Sequence, residues 1–218
     1  MDVNRWSVGV GRLPLELAAV AGPVLLTAAW LVLGFVSPGY YLWGTHVSPY
    51  SPVSQPISGL GLGPTGPYMN AAFVLSGLLV IVGAFGVFER IPEMPARYIC
   101  ATLLALPGIG SVLDGLFTFQ TFFIHFLGFG LALTTVATFP LVGFLLRRVP
   151  GWRSVGTGLI VAGPLTAALA VLYFATFIPT VQGIQTGIAG LTERLLVLEI
   201  QAWYVALGLI AFRKGEIR

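Results

Sequence analysis

Residues 108–131, GIGSVLDGLFTFQTFFIHFLGFGL, place an acid and an imidazole between two apolar runs of membrane-spanning length. The run before the turn, 98–118, and the run after it, 122–146, each reach the roughly 20 residues that cross a hydrocarbon core about 30 Å thick. Because only a short Phe-Gln-Thr segment separates them, the pattern predicts a tight antiparallel helical hairpin. At about 1.5 Å of rise per residue, Asp114 and His125 would lie roughly 8 Å below the turn, at matching depth.

An acid inside a membrane span has a physical cost that makes it a candidate functional residue. Insertion scales put that cost at about 2.5–3.5 kcal/mol, and intramembrane acids accordingly mark functional sites by default. Asp114 and His125 are therefore candidate catalytic residues. The alternative is that the pair satisfies itself or a backbone group and only holds the hairpin together. The sequence leaves both interpretations open.

The composition is that of a polytopic membrane protein. Of the 218 residues, 56% are hydrophobic and 9% charged, whereas soluble domains carry about 25% charged residues. The basic balance reflects Arg and Lys at helix ends, so nucleic acid is not an expected partner. With Cys100 as the single cysteine and His46 and His125 as the two histidines, we expect no zinc site and no other cofactor. A carboxylate-bound metal ion is the alternative that stays open.

Six apolar runs predict an all-α bundle of six transmembrane helices in a single domain. All but one of the 11 Lys and Arg residues lie in the N-terminal segment, two linkers and the C-terminal tail, and the exception is Arg194. By the positive-inside rule both termini are cytoplasmic, and the protein is a multi-pass protein of the cell membrane. The predicted spans are 15–36, 68–88, 98–118, 122–146, 155–177 and 191–212, with an outward-facing loop at 37–67.

The long loop at 37–67 is rich in Pro, Gly, Ser and aromatic residues. This composition favours ordered turns over a long helix. The loop is interpreted either as a lid over a site or as an ordinary extracellular loop. In the lid interpretation, the uncharged polar residues Gln55 and Ser58 would reach toward the bundle.

The predicted topology places the other intramembrane charges in the outer half of the bundle, under that loop. Glu193 and Arg194 would lie near the outer interface, with Glu199 about 9 Å deeper and Trp203 one turn further in on the same face. Arg194 points about 100° away from Glu193, so we expect it to pair with Asp114 or with another acid. A proton-donating acid beside a charged group suits general acid–base chemistry and also suits a proton relay.

Aromatic side chains surround these positions, and most of them would face lipid. A subset that lines a pocket would stack on an apolar substrate or stabilise a carbocation through the ring faces. The predicted site comprises Asp114, Glu199 and His125 as catalytic residues, Phe117, Phe122, Phe129, Tyr173, Trp203, Ser58 and Gln55 as substrate-binding residues, and Arg194 and Glu193 as charge partners.

The passage YSPVSQPISGLGLGPTGPYMNAAFVLSGLL, at residues 50–79, resembles the "domain of unknown function 998" family of bacterial and archaeal membrane proteins. The segments GIGSVLDGLF and GLTERL fit the same pattern, and the resemblance covers about residues 20–212. It implies a six-helix integral membrane fold and carries no established activity. Asp114 stands where an apolar or small residue is expected, which favours a specialised role for it. The positions expected to recur in the family are Ser54, Ser58, Gly59, His125, Arg194 and Trp203.

Three functions remain open from the sequence. The first is an integral membrane enzyme that acts on a lipid-like or isoprenoid substrate by intramembrane general acid–base catalysis. Because the sequence has no nucleotide-binding, GxSxG or aspartate-rich magnesium motif, a protonation-initiated terpene cyclisation is its concrete form, by analogy of architecture. The second is a proton-coupled small-molecule transporter, for which six spans without an inverted repeat are few. The third is a non-catalytic accessory membrane protein.

The expected partner follows from the same composition. It is a membrane lipid or another hydrophobic small molecule, because aromatic side chains that line a pocket suit an apolar ligand. A homo-oligomer is left open.

Overall fold

The fold is a bundle of long apolar helices, described by a computed structural model at residues 14–91, 94, 96–179 and 185–216. Within these residues, six helical spans are long and apolar enough to cross a membrane, which confirms the predicted six-span architecture. The predicted basic N-terminal segment lies outside the described residues. The helices are α1 (Ala18–Val36), α2 (Gly66–Glu89), α3 (Arg97–Leu116), α4 (Phe122–Leu133), α5 (Thr135–Leu146), α6 (Arg153–Thr176) and α7 (Ala189–Glu216).

Short elements connect these helices. Three turns of 3₁₀-helix lie at Leu15–Leu17, Ile57–Gly61 and Gly63–Thr65. The strands are β1 (Tyr40–Leu42), β2 (Thr45–Val47), β3 (Ile178–Pro179) and β4 (Gln185–Thr186), paired as antiparallel β1–β2 and β3–β4. We call the side of the bundle that carries these strands the loop side, and the opposite side the linker side.

The second span begins earlier than the sequence predicts. The prediction starts it at residue 68, whereas α2 begins at Gly66 and follows directly on the 3₁₀ turn Gly63–Thr65. Pro67 lies in the first turn of α2, where its fixed φ suits a helix and its missing N–H has no intrahelical partner to lose. Gly66 and Pro67, which the sequence assigns to the end of the long loop, therefore form the first turn of α2.

The fourth span is divided into two helices at Thr134. The Thr134 hydroxyl donates to the Leu131 carbonyl at 2.7 Å, and the Thr135 hydroxyl donates to the Ala132 carbonyl at 2.8 Å. Hydroxyls that bond back to the preceding turn bend a helix, and Pro140 withholds one N–H from the next turn. As a result, α4 with His125 is separated from α5, which packs in the core.

The linker-side half of the bundle is densely packed. Phe88, Leu104, Phe139 and Leu159 are each at most 1% exposed and belong to one buried apolar cluster. At the linker-side end of the bundle, Glu16 is 1% exposed and forms an ion pair of 2.8 Å with Arg90. The space left inside the bundle lies in the loop-side half.

Candidate intramembrane site

A cavity of about 190 Å³ lies in the loop-side half of the bundle. Residues from every one of the six spans line it, and residues 56–58 of the long loop also contribute to its wall. Its walls are mostly apolar. Three lining side chains carry carboxyl or imidazole groups, and each comes from a different span: Asp114, His125 and Glu193. The aromatic side chains on the wall include Phe119, Phe122, Phe126, Phe129, Tyr173 and Phe177.

Asp114 and His125 meet across the α3–α4 hairpin. His125 Nδ1 is 3.5 Å from Asp114 Oδ1 and 3.0 Å from the Phe117 carbonyl oxygen. The shorter contact is the hydrogen bond, since 3.5 Å is long for N–H···O. In the neutral ring Nδ1–H donates to Phe117, and Nε2 is left as the acceptor. The two side chains face each other at matching depth, as the hairpin arithmetic predicts.

A glycine makes room for the acid. A Cβ on Gly128 would collide with Asp114 Oδ1, and it would lie 2.7 Å from the Gly110 carbonyl oxygen. The carboxyl group therefore occupies the volume that a side chain would fill at the α3–α4 crossing. Asp114 Oδ1 is also buried without a hydrogen-bond partner in the part of the chain that the structure describes. Most buried polar atoms have such a partner, so its lack requires an explanation.

Glu193 connects the cavity to the loop above it. Its side chain is buried, and Oε2 accepts a hydrogen bond of 2.8 Å from the backbone N–H of Ile57. Ile57 follows Pro56 and precedes Ser58, and all three residues line the cavity. We call residues 50–58 the lid segment. Glu193 thus lines the cavity and also binds the lid segment.

Arg194 holds the same lid segment from the next position of α7. Its Nη1 donates to the carbonyl oxygens of Pro52 at 2.8 Å, Gln55 at 3.0 Å and Gly190 at 2.8 Å. Its Nη2 donates to the Tyr50 hydroxyl. The predicted ion pair between Arg194 and Asp114 is wrong, because these backbone and phenol acceptors surround the guanidinium at the lid. Among the described residues Arg194 also has no carboxylate within 4 Å, Glu193 included.

Two buried phenols of the long loop remain protonated. Burial raises the pKa of Tyr50 to about 12, although the neighbouring Arg194 guanidinium lowers it. Burial, with Tyr50 and Glu193 nearby, also raises the pKa of Tyr40 above its ordinary value. Tyr50 therefore keeps its proton at neutral pH and donates it to the Pro56 carbonyl oxygen at 3.0 Å. Its oxygen accepts from Arg194, so the phenol closes the network of the lid segment.

The structure does not bring Glu199 to Asp114 and His125. Its Oε2 accepts a hydrogen bond of 2.8 Å from Thr166, and its Oε1 accepts one of 2.9 Å from Trp203 Nε1. Neither Glu199 nor Trp203 belongs to the cavity wall. Six residues along a helix rotate a side chain about 120° from the starting direction. Glu199 consequently faces α6 while Glu193 faces the cavity.

The predicted substrate-binding residues divide into two groups. Phe122, Phe129, Tyr173 and Ser58 line the cavity. The others lie off the wall. Phe117 presents its carbonyl oxygen to His125, the Gln55 amide donates to the Pro49 carbonyl oxygen at 3.3 Å, and the Trp203 ring lies beside Gly158.

The wall also holds polar side chains outside the predicted site, among them Ser76, Ser111 and Gln201. Gln201 lines the cavity, and its Oε1 accepts a hydrogen bond of 2.6 Å from the Thr27 hydroxyl of α1. The available signal was its position eight residues after Glu193, which places it about 80° around the helix from Glu193, at the edge of the same broad face. Within the described residues no group of three or more His, Cys, Asp and Glu side chains is placed to hold a metal ion.

Six helical spans around an internal cavity define a polytopic membrane protein. A family model described as "Protein of unknown function (DUF998)" matches residues 19–210, and the chain belongs to this family. The family resemblance that the sequence predicts is therefore confirmed. No curated protein and no solved structure matches the chain.

Proposed function

We propose that the protein is an integral membrane enzyme that isomerises or cyclises an unsaturated, isoprenoid-like molecule by proton transfer. One observation carries the proposal: an acid–imidazole pair, Asp114 and His125, and a second carboxyl group, Glu193, face one aromatic cavity. Apolar pockets with a few convergent polar groups are the usual form of small-molecule sites. The loop side is proposed to face outward, as the distribution of basic residues predicts.

The closed end of the cavity favours an enzyme over a carrier. Tyr204 lines the cavity toward the linker side, and its hydroxyl donates to the Leu104 carbonyl oxygen at 2.6 Å. Its ring packs against Phe139 with centroids 6.0 Å apart. Both Leu104 and Phe139 belong to the buried apolar cluster. A carrier must open its site to both sides of the membrane in turn, whereas the described residues close this cavity toward the linker side.

The outer wall of the cavity favours an apolar substrate that enters from the bilayer. Phe122, Phe126 and Phe174 line the cavity and are 41%, 49% and 46% exposed. They therefore belong both to the cavity wall and to the surface of α4 and α6 that faces lipid. Since a molecule dissolved in the hydrocarbon core meets only aromatic carbon along this route, an apolar chain enters without losing contact with apolar surroundings.

The proposed reaction begins with proton donation by Asp114. The proton adds to one carbon of a substrate double bond, and the two π electrons form the new C–H bond. A carbocation remains on the neighbouring carbon, where the ring faces of Phe119 and Phe129 stabilise it. In a cyclisation, a second double bond of the same molecule attacks this cation. The charge then moves to a new carbon, and no bond to the protein forms.

The reaction ends when a base removes a different proton. His125 Nε2 or the Glu193 carboxylate takes the proton from the carbon beside the cation, and the electrons of that C–H bond form the product double bond. One proton enters the molecule and one leaves it, so no oxidant, reductant or water is consumed. When His125 is the base, Nε2 takes the proton and the Nδ1 proton passes to Asp114, whose Oδ1 is 3.5 Å away. Proton exchange with water then returns the ring to the Nδ1–H tautomer. When Glu193 is the base, the same exchange removes its proton and reprotonates Asp114.

Deuterium incorporation tests this proposal directly. The purified protein in liposomes is incubated in D₂O with farnesene, squalene or farnesol, and the recovered isoprenoids are analysed by gas chromatography and mass spectrometry. We expect isomeric or cyclic products that carry deuterium at the protonated carbon. Asp114→Asn should abolish incorporation, because the amide cannot serve as the acid. Glu199→Gln is the matched control and should retain it, since Glu199 faces α6.

Two results would overturn the proposal. One is full deuterium incorporation by Asp114→Asn, and the other is the absence of incorporation by the wild-type protein with all three probes. Accumulation of unchanged probe inside the liposomes, dependent on a pH gradient, would instead support a proton-coupled carrier.

A further inference from the structure

We propose that Gln201 selects the ligand by donating a hydrogen bond to an oxygen atom at the deep end of the cavity. The ligand class is then an unsaturated isoprenoid alcohol, aldehyde or ketone, and a pure hydrocarbon binds less tightly. This inference rests on the proposed function, because it requires that the cavity bind an isoprenoid chain. It adds the polar group of the substrate and the residue that recognises it.

Gln201 lies near the deep end of the cavity wall that α7 contributes, about one turn before Tyr204. The cavity-facing residues of α7 begin with Glu193 below the lid segment and continue through Leu196, Val197, Ile200 and Gln201 to Tyr204. At 1.5 Å per residue, Gln201 is about 12 Å below Glu193 along the helix axis. Asp114 lies near the end of its helix on the same side as Glu193, since α3 ends at Leu116. The acid and the amide therefore lie at opposite ends of the cavity.

Thr27 fixes the orientation of the Gln201 amide. Its hydroxyl donates to Gln201 Oε1 at 2.6 Å, so the amide oxygen is occupied. An amide nitrogen carries two N–H donors. The apolar neighbours on the wall, Val197 and Ile200, offer no side-chain acceptor for them. A donor that faces an apolar cavity without a partner is unfavourable, and a ligand oxygen relieves that cost.

The two ends of the cavity thus impose a direction on the ligand. The oxygen lies at Gln201, and a double bond several carbons away lies near Asp114. A hydrocarbon of the same length fills the same volume but leaves the amide donors unpaired. Sites that hydrogen-bond a substrate oxygen discriminate against analogues that lack it more strongly than apolar pockets discriminate by size.

A pair of probes that share one chain tests this inference. Farnesol and farnesene have the same isoprenoid skeleton, and only farnesol carries a hydroxyl. Binding of each is measured by titration of the purified protein in detergent, with quenching of tryptophan fluorescence as the signal. For the wild-type protein we expect farnesol to bind about tenfold more tightly, the effect of one hydrogen bond in a dry site. Gln201→Leu should lower the affinity for farnesol about tenfold and leave the affinity for farnesene unchanged.

Thr27 provides a second, independent pair of variants. Thr27→Val removes the hydroxyl at nearly constant volume, frees the amide to rotate and should reduce the preference for farnesol. Thr27→Ser keeps the hydroxyl and should keep the preference. This pair tests the inference even if Gln201→Leu fails to fold. A purely structural role for Gln201 would change the affinity for both probes together, and it would leave their ratio unchanged.

The outcomes separate the inference from the proposed function. If neither probe binds the wild-type protein, the proposed isoprenoid cavity is wrong. If both bind and their ratio is the same in the wild type and Gln201→Leu, the role of Gln201 is wrong and the proposed function stands. If the ratio collapses in Gln201→Leu and Thr27→Val but survives in Thr27→Ser, the role of Gln201 is supported.

Discussion

Arg194 and Asp114 are two ionisable side chains in the loop-side half of the same bundle, and the structure satisfies them very differently. Arg194 donates to three backbone carbonyls and to the Tyr50 hydroxyl. Asp114 Oδ1 has no hydrogen-bond partner among the described residues and has His125 at 3.5 Å. A buried charge whose hydrogen bonds are nearly complete serves the fold, whereas an incompletely bonded one is a candidate for chemistry. The difference lies in the partners rather than in the depth of burial.

The comparison also separates two consecutive residues of α7. Glu193 and Arg194 both bind the lid segment, but Glu193 faces the cavity and Arg194 does not. The lid segment is therefore held by one residue that lines the cavity and by another that lies off its wall. Stability measurements on variants of the two regions test this division.

The largest effect is expected for Arg194→Met. The substitution keeps much of the side-chain volume and leaves the carbonyls of Pro52, Gln55 and Gly190 without their donor. The free energy of unfolding should fall by about 3 kcal/mol or more, measured by thermal or denaturant unfolding in detergent. Arg213→Met, at an exposed arginine of the same helix, is the matched control and should change it by less than about 0.5 kcal/mol. Equal losses in both would remove the structural role of Arg194.

A smaller effect is expected where α3 crosses α4. A Cβ on Gly110 would collide with the Gly128 carbonyl oxygen, so Gly110→Ala should cost about 1–3 kcal/mol of unfolding free energy and separate His125 from Asp114. Gly130 lies on α4, and a Cβ added there would have no neighbouring atom of the described residues within 4 Å. Gly130→Ala should therefore stabilise the helix by about 0.5–1 kcal/mol. Two changes of the same sign would argue against the tight crossing.

Tyr50→Phe is expected to have a moderate effect. It removes one acceptor of Arg194 and one donor to the Pro56 carbonyl oxygen, and it keeps the buried ring. The loss of unfolding free energy should be about 1 kcal/mol. In a double-mutant cycle with Arg194→Met, the double variant should lose less unfolding free energy than the sum of the two single losses, because both variants remove the same contact. Strict additivity would mean that the phenol and the guanidinium act independently.

The smallest effect on stability is expected for Asp114→Asn. The amide has nearly the shape of the carboxyl group. Asp114 Oδ1 has no hydrogen-bond partner among the described residues, so the substitution removes no hydrogen bond from that atom. The unfolding free energy should change by less than the roughly 1 kcal/mol of one satisfied hydrogen bond. The measurement is the same unfolding experiment in detergent. A loss as large as that of Arg194→Met would make Asp114 a structural residue and would end the contrast drawn between the two.

The spans and the hairpin could be predicted because both depend on local arithmetic. Apolar length decides what crosses a membrane, and the rise per residue places Asp114 opposite His125 once the turn is known. The same arithmetic, applied to rotation rather than rise, places Glu199 about 120° and Gln201 about 80° around the helix from Glu193. The angle per residue therefore favours Gln201 over Glu199 as a neighbour of Glu193 on the cavity face, and the width of that face is known only from the structure.

The partners of Arg194 could not be predicted in this way. They depend on the path of the lid segment, and a stretch with many Pro, Gly and Ser residues has no periodicity from which to derive that path. Trp43 and Gly44, both at positive φ, turn the β1–β2 hairpin, and the hairpin in turn sets where Tyr50 and Pro52 lie. The division of the fourth span at Thr134 could not be predicted either. It arises from hydroxyl groups that bond back along the helix, and apolar length does not reveal such bonds.

The contact between Asp114 and Gly128 has a consequence for the whole lineage of this chain. Since the carboxyl group fills the space of the missing side chain, substitution of the glycine excludes an aspartate in its present rotamer. The two positions should change together among homologues: members with a small residue in place of Asp114 are able to carry alanine or serine in place of Gly128, and members with the acid are not. Counting those paired replacements across many genomes would show whether the acid is an inherited trait or a recent acquisition.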